Sequence, residues 1–224
     1  MAIKFPVRIP PILKHIFTGL HFTGPADEKR LYLTFDDGPL PEFCPWILEC
    51  LREHQALATF FLVGENAARH PALVEAILRD GHRIGNHTQN HLNGFQTASS
   101  EYLQNTLVCA EVLQPYIPQG FAPMFRPPYG RIRPGQIRKL KKEGYEIVLW
   151  DVLSKDYEVG ITAGDVYANV VNNVRPGSVL VFHDNRKAEA TLKIALPRIL
   201  SELKQQGYRF GVLEFPLKPV KKLP

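Results

Sequence analysis

The chain has 224 residues, 45% hydrophobic and 22% charged, proportions that describe one ordinary globular core and exclude a disordered or fibrous chain. Its net charge is +5 with an isoelectric point near 9.1, and part of that excess is the C-terminal set Lys218, Lys221 and Lys222. No zinc-finger spacing or aromatic–basic strand motif accompanies the charge, so no nucleic-acid partner is expected. A peripheral contact with an acidic or membrane surface has only the basic excess in its favour. No apolar run approaches the ~20 residues of a membrane span. Near the N-terminus Lys4, Arg8, Lys14 and His15 alternate with Pro6, Pro10 and Pro11, which interrupts any secretion-signal core. Cys44, Cys50 and Cys109 are odd in number and lack metal-ligand spacing; they read as reduced core thiols, and a cytoplasmic location is the expectation.

Residues 1–28 are expected to form an N-terminal extension packing on the main domain, 29–214 a single domain and 215–224 a basic tail. Along the domain, strand patterns are predicted at Leu31–Phe35, Ala58–Val63, Arg83–Gly85, Pro123–Phe125, Tyr145–Trp150, Ser178–Phe182 and Phe210–Leu213. Between them helical patterns are predicted at Glu42–Glu53, Pro71–Arg79, Thr97–Leu113, Pro134–Glu143, Ala163–Asn173 and Ala190–Gln205, the third being the longest. It carries Tyr102, Leu103, Leu107, Ala110 and Leu113 on one stripe. Alternating strands and helices predict an α/β protein with a parallel sheet, either a closed barrel or an open doubly wound sheet. Polar residues follow most of the strands: Asp36 and Asp37 the first, His87 the third, Arg126 the fourth, Asp151 and Asp156 the fifth, His183 and Asp184 the sixth. Active groups of parallel α/β folds collect at the carboxyl ends of strands. A ring brings all these ends together, so the barrel is favoured.

The first motif, Thr34-Phe35-Asp36-Asp37-Gly38-Pro39, places two adjacent carboxylates at the lip of a buried strand. Like charges so close each require a positive partner or a metal. The second, His87-Thr88-Gln89-Asn90-His91, has the i, i+4 spacing that puts two imidazoles on one face if a helical turn begins there. No Glu lies inside it, unlike the helical metalloprotease motif; a carboxylate must come from elsewhere, and Asp36-Asp37 supply two. A His, His, Asp site with open positions is the pattern of a catalytic metal centre. The third motif, Arg126-Pro127-Pro128-Tyr129-Gly130, is a stiff loop in which Gly130 permits an unusual backbone angle. Its Arg126 can orient a carboxylate bidentately. Finally, Val179–Phe182 is a buried strand ending in His183, the residue type suited to proton transfer near neutral pH.

These motifs in this order resemble the polysaccharide deacetylases of the NodB-homology type, carbohydrate esterase family 4. The likeness extends over roughly 29–213, with looser matches at Trp150–Tyr157 and Val181-Phe182-His183. It implies an irregular (β/α)7 barrel and a metal-dependent hydrolase that removes N-linked acetyl groups from a carbohydrate. It further implies one divalent metal, zinc before cobalt, manganese or nickel, held by Asp37, His87 and His91. Asp36 would be the general base that activates the attacking water, with Arg126 paired to it. The Tyr129 backbone N–H would stabilise the oxyanion, and His183, tuned by Asp156, would protonate the departing amine. The same machinery could serve an O-acetyl ester or another small amide, and a dead carbohydrate-binding protein would require a lost ligand, base or acid. Two motifs depart from the family: Leu153-Ser154-Lys155-Asp156-Tyr157 stands where D-S-x-D-W is usual, with Asp151 the candidate substitute for the missing first carboxylate, and Val181 stands where Leu is usual, so the pocket wall is expected to differ.

Overall fold

The computed structural model describes residues 6–10, 12, 18–26 and 28–217; Lys218, Lys221 and Lys222 lie outside them. In chain order the elements are β1 (Leu20–His21), β2 (Arg30–Asp36), α1 (Cys44–Glu53), β3 (Ala58–Leu62), α2 (Gly64–Arg69), α3 (Pro71–Arg79), β4 (Arg83–Asn86) and α4 (Ser99–Leu113). They continue with β5 (Met124–Phe125), α5 (Pro134–Lys142), β6 (Glu146–Val148), β7 (Val152–Leu153), α6 (Ala163–Val171), β8 (Val179–His183), α7 (Arg186–Gln205) and β9 (Arg209–Phe210). The sheet runs β1-β6-β5-β4-β3-β2-β8-β7, with β9 on β2, and these strand pairs are parallel.

The segment predicted as one strand, Tyr145–Trp150, is a strand over Glu146–Val148, and a further, unpredicted short strand follows at Val152–Leu153. Glu146–Val148 pairs with β5, while Val152–Leu153 pairs with β8. Since β5 and β8 are far apart in the strand order, this single stretch of chain bridges the two ends. The sheet thereby curls into the irregular (β/α)7 barrel. At the seam the Ile9 amide donates to Asp151 O at 2.9 Å and the Leu153 amide to Val7 O at 2.7 Å.

Strand alternation sorts the residues into two layers. From β2, Leu31, Leu33 and Phe35 pack outward with the helices, whereas Tyr32 belongs to the inner cluster with Phe61, Val148, Trp150, Leu153, Val179 and Val181. Phe35 lies between Phe60 and Phe182, with centroids 5.1 and 5.6 Å away. The burial of such a ring is worth about 1.5–3 kcal/mol. Thr34 and Asp36 share the parity of Tyr32, and His183 that of Val181, so the same alternation that builds the core aims polar groups into the barrel mouth.

The helices cover the outer layer through apolar stripes: in α1, Cys44, Ile47, Leu48 and Leu51 are buried. In α4 the fully buried stripe is Tyr102, Thr106, Cys109 and Leu113, rotated from the predicted one. The longest helix of the described residues is α7, of 20 residues, because Asn185 caps it and it begins at Arg186, four residues before the predicted start. Helix α2 was not predicted; it is short and buries only Gly64 and Ala67. No helix of the described residues is long and apolar enough to cross a membrane.

Candidate active site

Asp36, at the last position of β2, is buried with Arg126, whose side chain is 0% exposed. Arg126 Nη1 donates to Asp36 Oδ1 at 2.7 Å and to Thr34 Oγ1 at 2.6 Å. The rest of the guanidinium is engaged by backbone carbonyls: Nε by Val148 at 3.2 Å and Nη2 by Leu149 at 2.9 Å. The pairing is therefore not the predicted bidentate fork, because those carbonyls and Thr34 occupy the remaining N–H groups. Phe61 lies under the guanidinium at 4.1 Å, and its ring fills the space next to Gly85, where a Cβ would sit 2.6 Å from it. Burial pulls the Arg126 pKa down while Asp36 opposes that pull. Asp36 Oδ2 is left for another partner.

Asp37 turns away from its neighbour through a left-handed backbone, φ 79°. Its Oδ1 is 3.6 Å from His87 Nε2 and 3.1 Å from His91 Nε2, and the three ligand atoms lie within 4.8 Å of one another. His87 Nδ1 is 2.7 Å from Arg126 O; a carbonyl can only accept, so Nδ1 carries the proton and Nε2 offers its lone pair. His91 Nδ1 is 3.1 Å from Tyr129 Oη. Burial acts to raise the Asp37 pKa, but the neighbouring imidazoles of His87 and His91, helped by the charge of His183, hold it well below the usual carboxylate range. Two imidazoles with fixed outer partners and one ionised carboxylate fit a divalent first-row metal. The two histidines do not meet on a helical turn. Residues 87–91 form a loop in which Thr88 (φ 65°) and His91 (φ 56°) are left-handed, and the loop brings the rings to 5.1 Å.

His183, at the end of β8, points its Nδ1 at Asp156 Oδ1, 2.7 Å away, while its backbone N–H donates to Asp156 Oδ2 at 2.8 Å. Burial works to lower the His183 pKa. The charge of Asp156, helped by Asp37 and Asp36, outweighs it and raises the pKa to about 9. The imidazolium is thus favoured at neutral pH, with Nδ1–H on Asp156 and Nε2–H free for another group. Tyr157 packs edge-on against this ring at 4.7 Å.

Asp36, Asp37, His87, His91 and His183 line one cavity of about 590 Å³, whose wall includes Tyr129, Trp150, Leu153, Tyr157 and Val181, while Arg126 and Asp156 are buried behind it. The altered motif residues Leu153 and Tyr157 therefore do form pocket wall. Asp151 does not: it is fully buried between β6 and β7, outside the cavity lining, accepting from Ser178 Oγ at 2.6 Å and facing Arg8 and Arg175. It cannot replace the lost carboxylate. In the third motif both Tyr129 (φ 60°) and Gly130 (φ 64°) are left-handed. Of the described non-glycine residues with positive φ, Asp37, Thr88, His91, Tyr129 and Lys155 lie in or beside the site and only Gln55 lies elsewhere. Concentrated backbone strain is typical of functional centres.

Sequence reasoning missed Thr34, which relays between Arg126 and Leu180 O. It also missed Asn66, which donates to Asp37 O at 2.8 Å, and Asn185, which donates to Asp37 Oδ2 at 2.7 Å. An Asn just before a helix is a capping signal, so Asn185 could have been found.

The family model for polysaccharide deacetylase matches residues 23–148. A peptidoglycan-N-acetylglucosamine deacetylase of Bacillus cereus is 40% identical over 194 residues, covering 86% of this chain and 70% of that protein. The chain belongs to the polysaccharide deacetylase family. This deacetylase is also 36% identical to a chitooligosaccharide deacetylase of Azorhizobium caulinodans over 158 residues, 70% of this chain and 75% of the relative. Its fold superposes with a TM-score of 0.82 on a crystal structure of the Bc1960 peptidoglycan N-acetylglucosamine deacetylase, at 36% identity, covering 92% of this chain and 95% of that one. Motifs, fold and relatives agree on a carbohydrate deacetylase of carbohydrate esterase family 4, a hydrolase of non-peptide carbon–nitrogen bonds.

Proposed function

We propose that this deacetylase removes acetyl groups from N-acetylglucosamine residues of a peptidoglycan-type glycan, using one divalent metal, zinc in the first place, held by Asp37, His87 and His91. The observation that carries the reading is the division of labour between adjacent carboxylates. Asp37 faces the two imidazoles, while Asp36 is turned to Arg126 and keeps one oxygen free. The metal, when bound, polarises the acetamide carbonyl and makes water easier to deprotonate. Asp36 Oδ2 takes the proton of the attacking water, and Arg126 holds that carboxylate in orientation through Oδ1. As the carbonyl oxygen gains charge, the Tyr129 backbone N–H supplies a donor. The carbon–nitrogen bond then breaks, and His183 gives its Nε2 proton to the departing amine nitrogen, leaving acetate and a free amino sugar. Asp156 holds the imidazolium for that step through Nδ1.

The glycan type rests on the relatives, whose names include both peptidoglycan and chitooligosaccharide deacetylases. The test is acetate release from peptidoglycan glycan strands, chitooligosaccharides and acetylxylan by the zinc-loaded protein. Release from the first with one amine exposed per acetate supports the reading; release only from acetylxylan overturns it.

A further inference from the structure

The two oxygens of Asp37 are used differently. Oδ1 faces His91 Nε2 at 3.1 Å and His87 Nε2 at 3.6 Å, whereas Oδ2 accepts from Asn185 Nδ2 at 2.7 Å. The orientation of the Asn185 amide is not free to reverse. Its Oδ1 accepts the backbone N–H groups of Lys187 at 3.0 Å and Ala188 at 3.1 Å, capping α7, so its NH₂ must be the end that meets the carboxylate. The cap belongs to a 20-residue helix anchored by Ala188, Leu192, Ala195, Leu196, Ile199, Leu200 and Leu203, all buried. A rigid element therefore sets where the Asn185 donor lies. On its other side the Asp37 carbonyl accepts from Asn66 Nδ2 at 2.8 Å, which pins the backbone in its left-handed state.

The residue type suits the place. A lysine or arginine donor would bring a positive charge beside a cation site, and a carboxylate would repel Asp37. A neutral amide occupies Oδ2 without either penalty. The neighbouring Arg186 is directed instead to Glu42, 3.2 Å away. We propose that Asn185 is a positioning residue for the metal centre: by holding Asp37 Oδ2 it leaves Oδ1 as the oxygen facing the two imidazoles, and so sets the metal affinity. This inference rests on the reading of Asp37, His87 and His91 as the metal ligands.

The test separates holding Asp37 from capping α7. Asn185→Ser keeps a good cap, since Ser and Asn are close in capping preference, but its hydroxyl is too short to span the helix start and Asp37 together. Asn185→Ala removes both. Thr162→Ala removes the cap of α6, where Thr162 Oγ1 accepts from the Asp165 N–H at 3.1 Å, away from the site. Zinc affinity is measured by competition with a chromophoric chelator, and melting temperature on the metal-free proteins. The expectation is that Asn185→Ser weakens zinc binding roughly 10–100-fold, as outer-shell substitutions do, with a melting temperature close to the parent's. Asn185→Ala should lose both affinity and melting temperature, and Thr162→Ala melting temperature alone. Parental zinc affinity in Asn185→Ser would overturn the proposal and leave Asn185 a cap only. Equal weakening in Thr162→Ala would overturn it as well, since the loss would then follow general destabilisation. If instead His91→Ala binds zinc as the parent does, the ligand assignment itself fails, a result distinct from either.

Discussion

Replacing Arg126 by Met removes a guanidinium that is fully enclosed and keeps a side chain of similar length. Asp36, with a side chain 6% exposed, then loses its ion-pair partner. The Val148 and Leu149 carbonyls lose the donors at 3.2 and 2.9 Å, and Thr34 Oγ1 loses the one at 2.6 Å. Breaking a buried pair by removing one partner costs about 3–5 kcal/mol, because the other charge is left uncompensated. At roughly 2–4 °C per kcal/mol for a chain of this size, the melting temperature should fall by roughly 6–20 °C. Calorimetry on metal-free protein reads this without interference from bound metal. Asp36→Asn in the Arg126→Met background should recover part of the loss, since the stranded charge is gone. Deacetylation by Arg126→Met should drop by about 10²-fold or more, the scale of a general base that is no longer oriented. A melting temperature within about 2 °C of the parent would refute the account of Arg126, given the per-kcal scale used above.

Asp36→Asn should retain the metal and lose catalysis, while Asp37→Asn should lose metal first; metal analysis beside acetate release checks both, and the reverse pattern would exchange their roles. Removing the metal with a chelator should abolish activity, and zinc or cobalt should restore it; full activity in demonstrably metal-free protein would contradict the site. The proposed mechanism uses the acid form of His183, whose pKa is raised to about 9 by the charge of Asp156 against its burial, so kcat/KM should fall as pH rises through that value. In Asp156→Asn the alkaline limb should move down by about 1–3 units, the effect of losing an adjacent opposite charge, and an unmoved limb would remove Asp156 from this role. Leu153→Asp with Tyr157→Trp should alter the ranking of glycan substrates at constant metal content, because both side chains form the pocket wall.

Much of this was readable in the sequence because the relevant signals are local. Buried strands interrupted by turn residues defined the alternating α/β order, and helix α3 matches its prediction, Pro71–Arg79, at both ends. What escaped was long-range or weakly patterned. The run from Tyr145 to Leu153 is almost continuously apolar, so nothing local marks where it exchanges β5 for β8. Helix α2 has no apolar stripe to announce it, and the polar first turn of α7 hides behind Arg186 and Lys187. For the site, residue types and order pointed to Asp36, Asp37, His87, His91, Arg126 and His183, which the fold gathers in or beside one cavity. The geometry was less accessible: histidine spacing suggested a helical turn where left-handed residues make a loop. Arg126 suggested a fork where four acceptors share its donors. Asp151 sits beside the altered motif in sequence, yet it falls between β6 and β7 with its carboxylate held by Ser178, away from the cavity.

The most direct measurement is acetate release from peptidoglycan glycan strands by the parent and Asp36→Asn proteins, with the metal content of the same samples determined. The parent should carry one metal ion per chain and release one acetate for each amine exposed, while Asp36→Asn should carry the same metal and release essentially none. Parental acetate release from Asp36→Asn would contradict its role as base. Absence of release from the fully metal-loaded parent would contradict the proposed substrate.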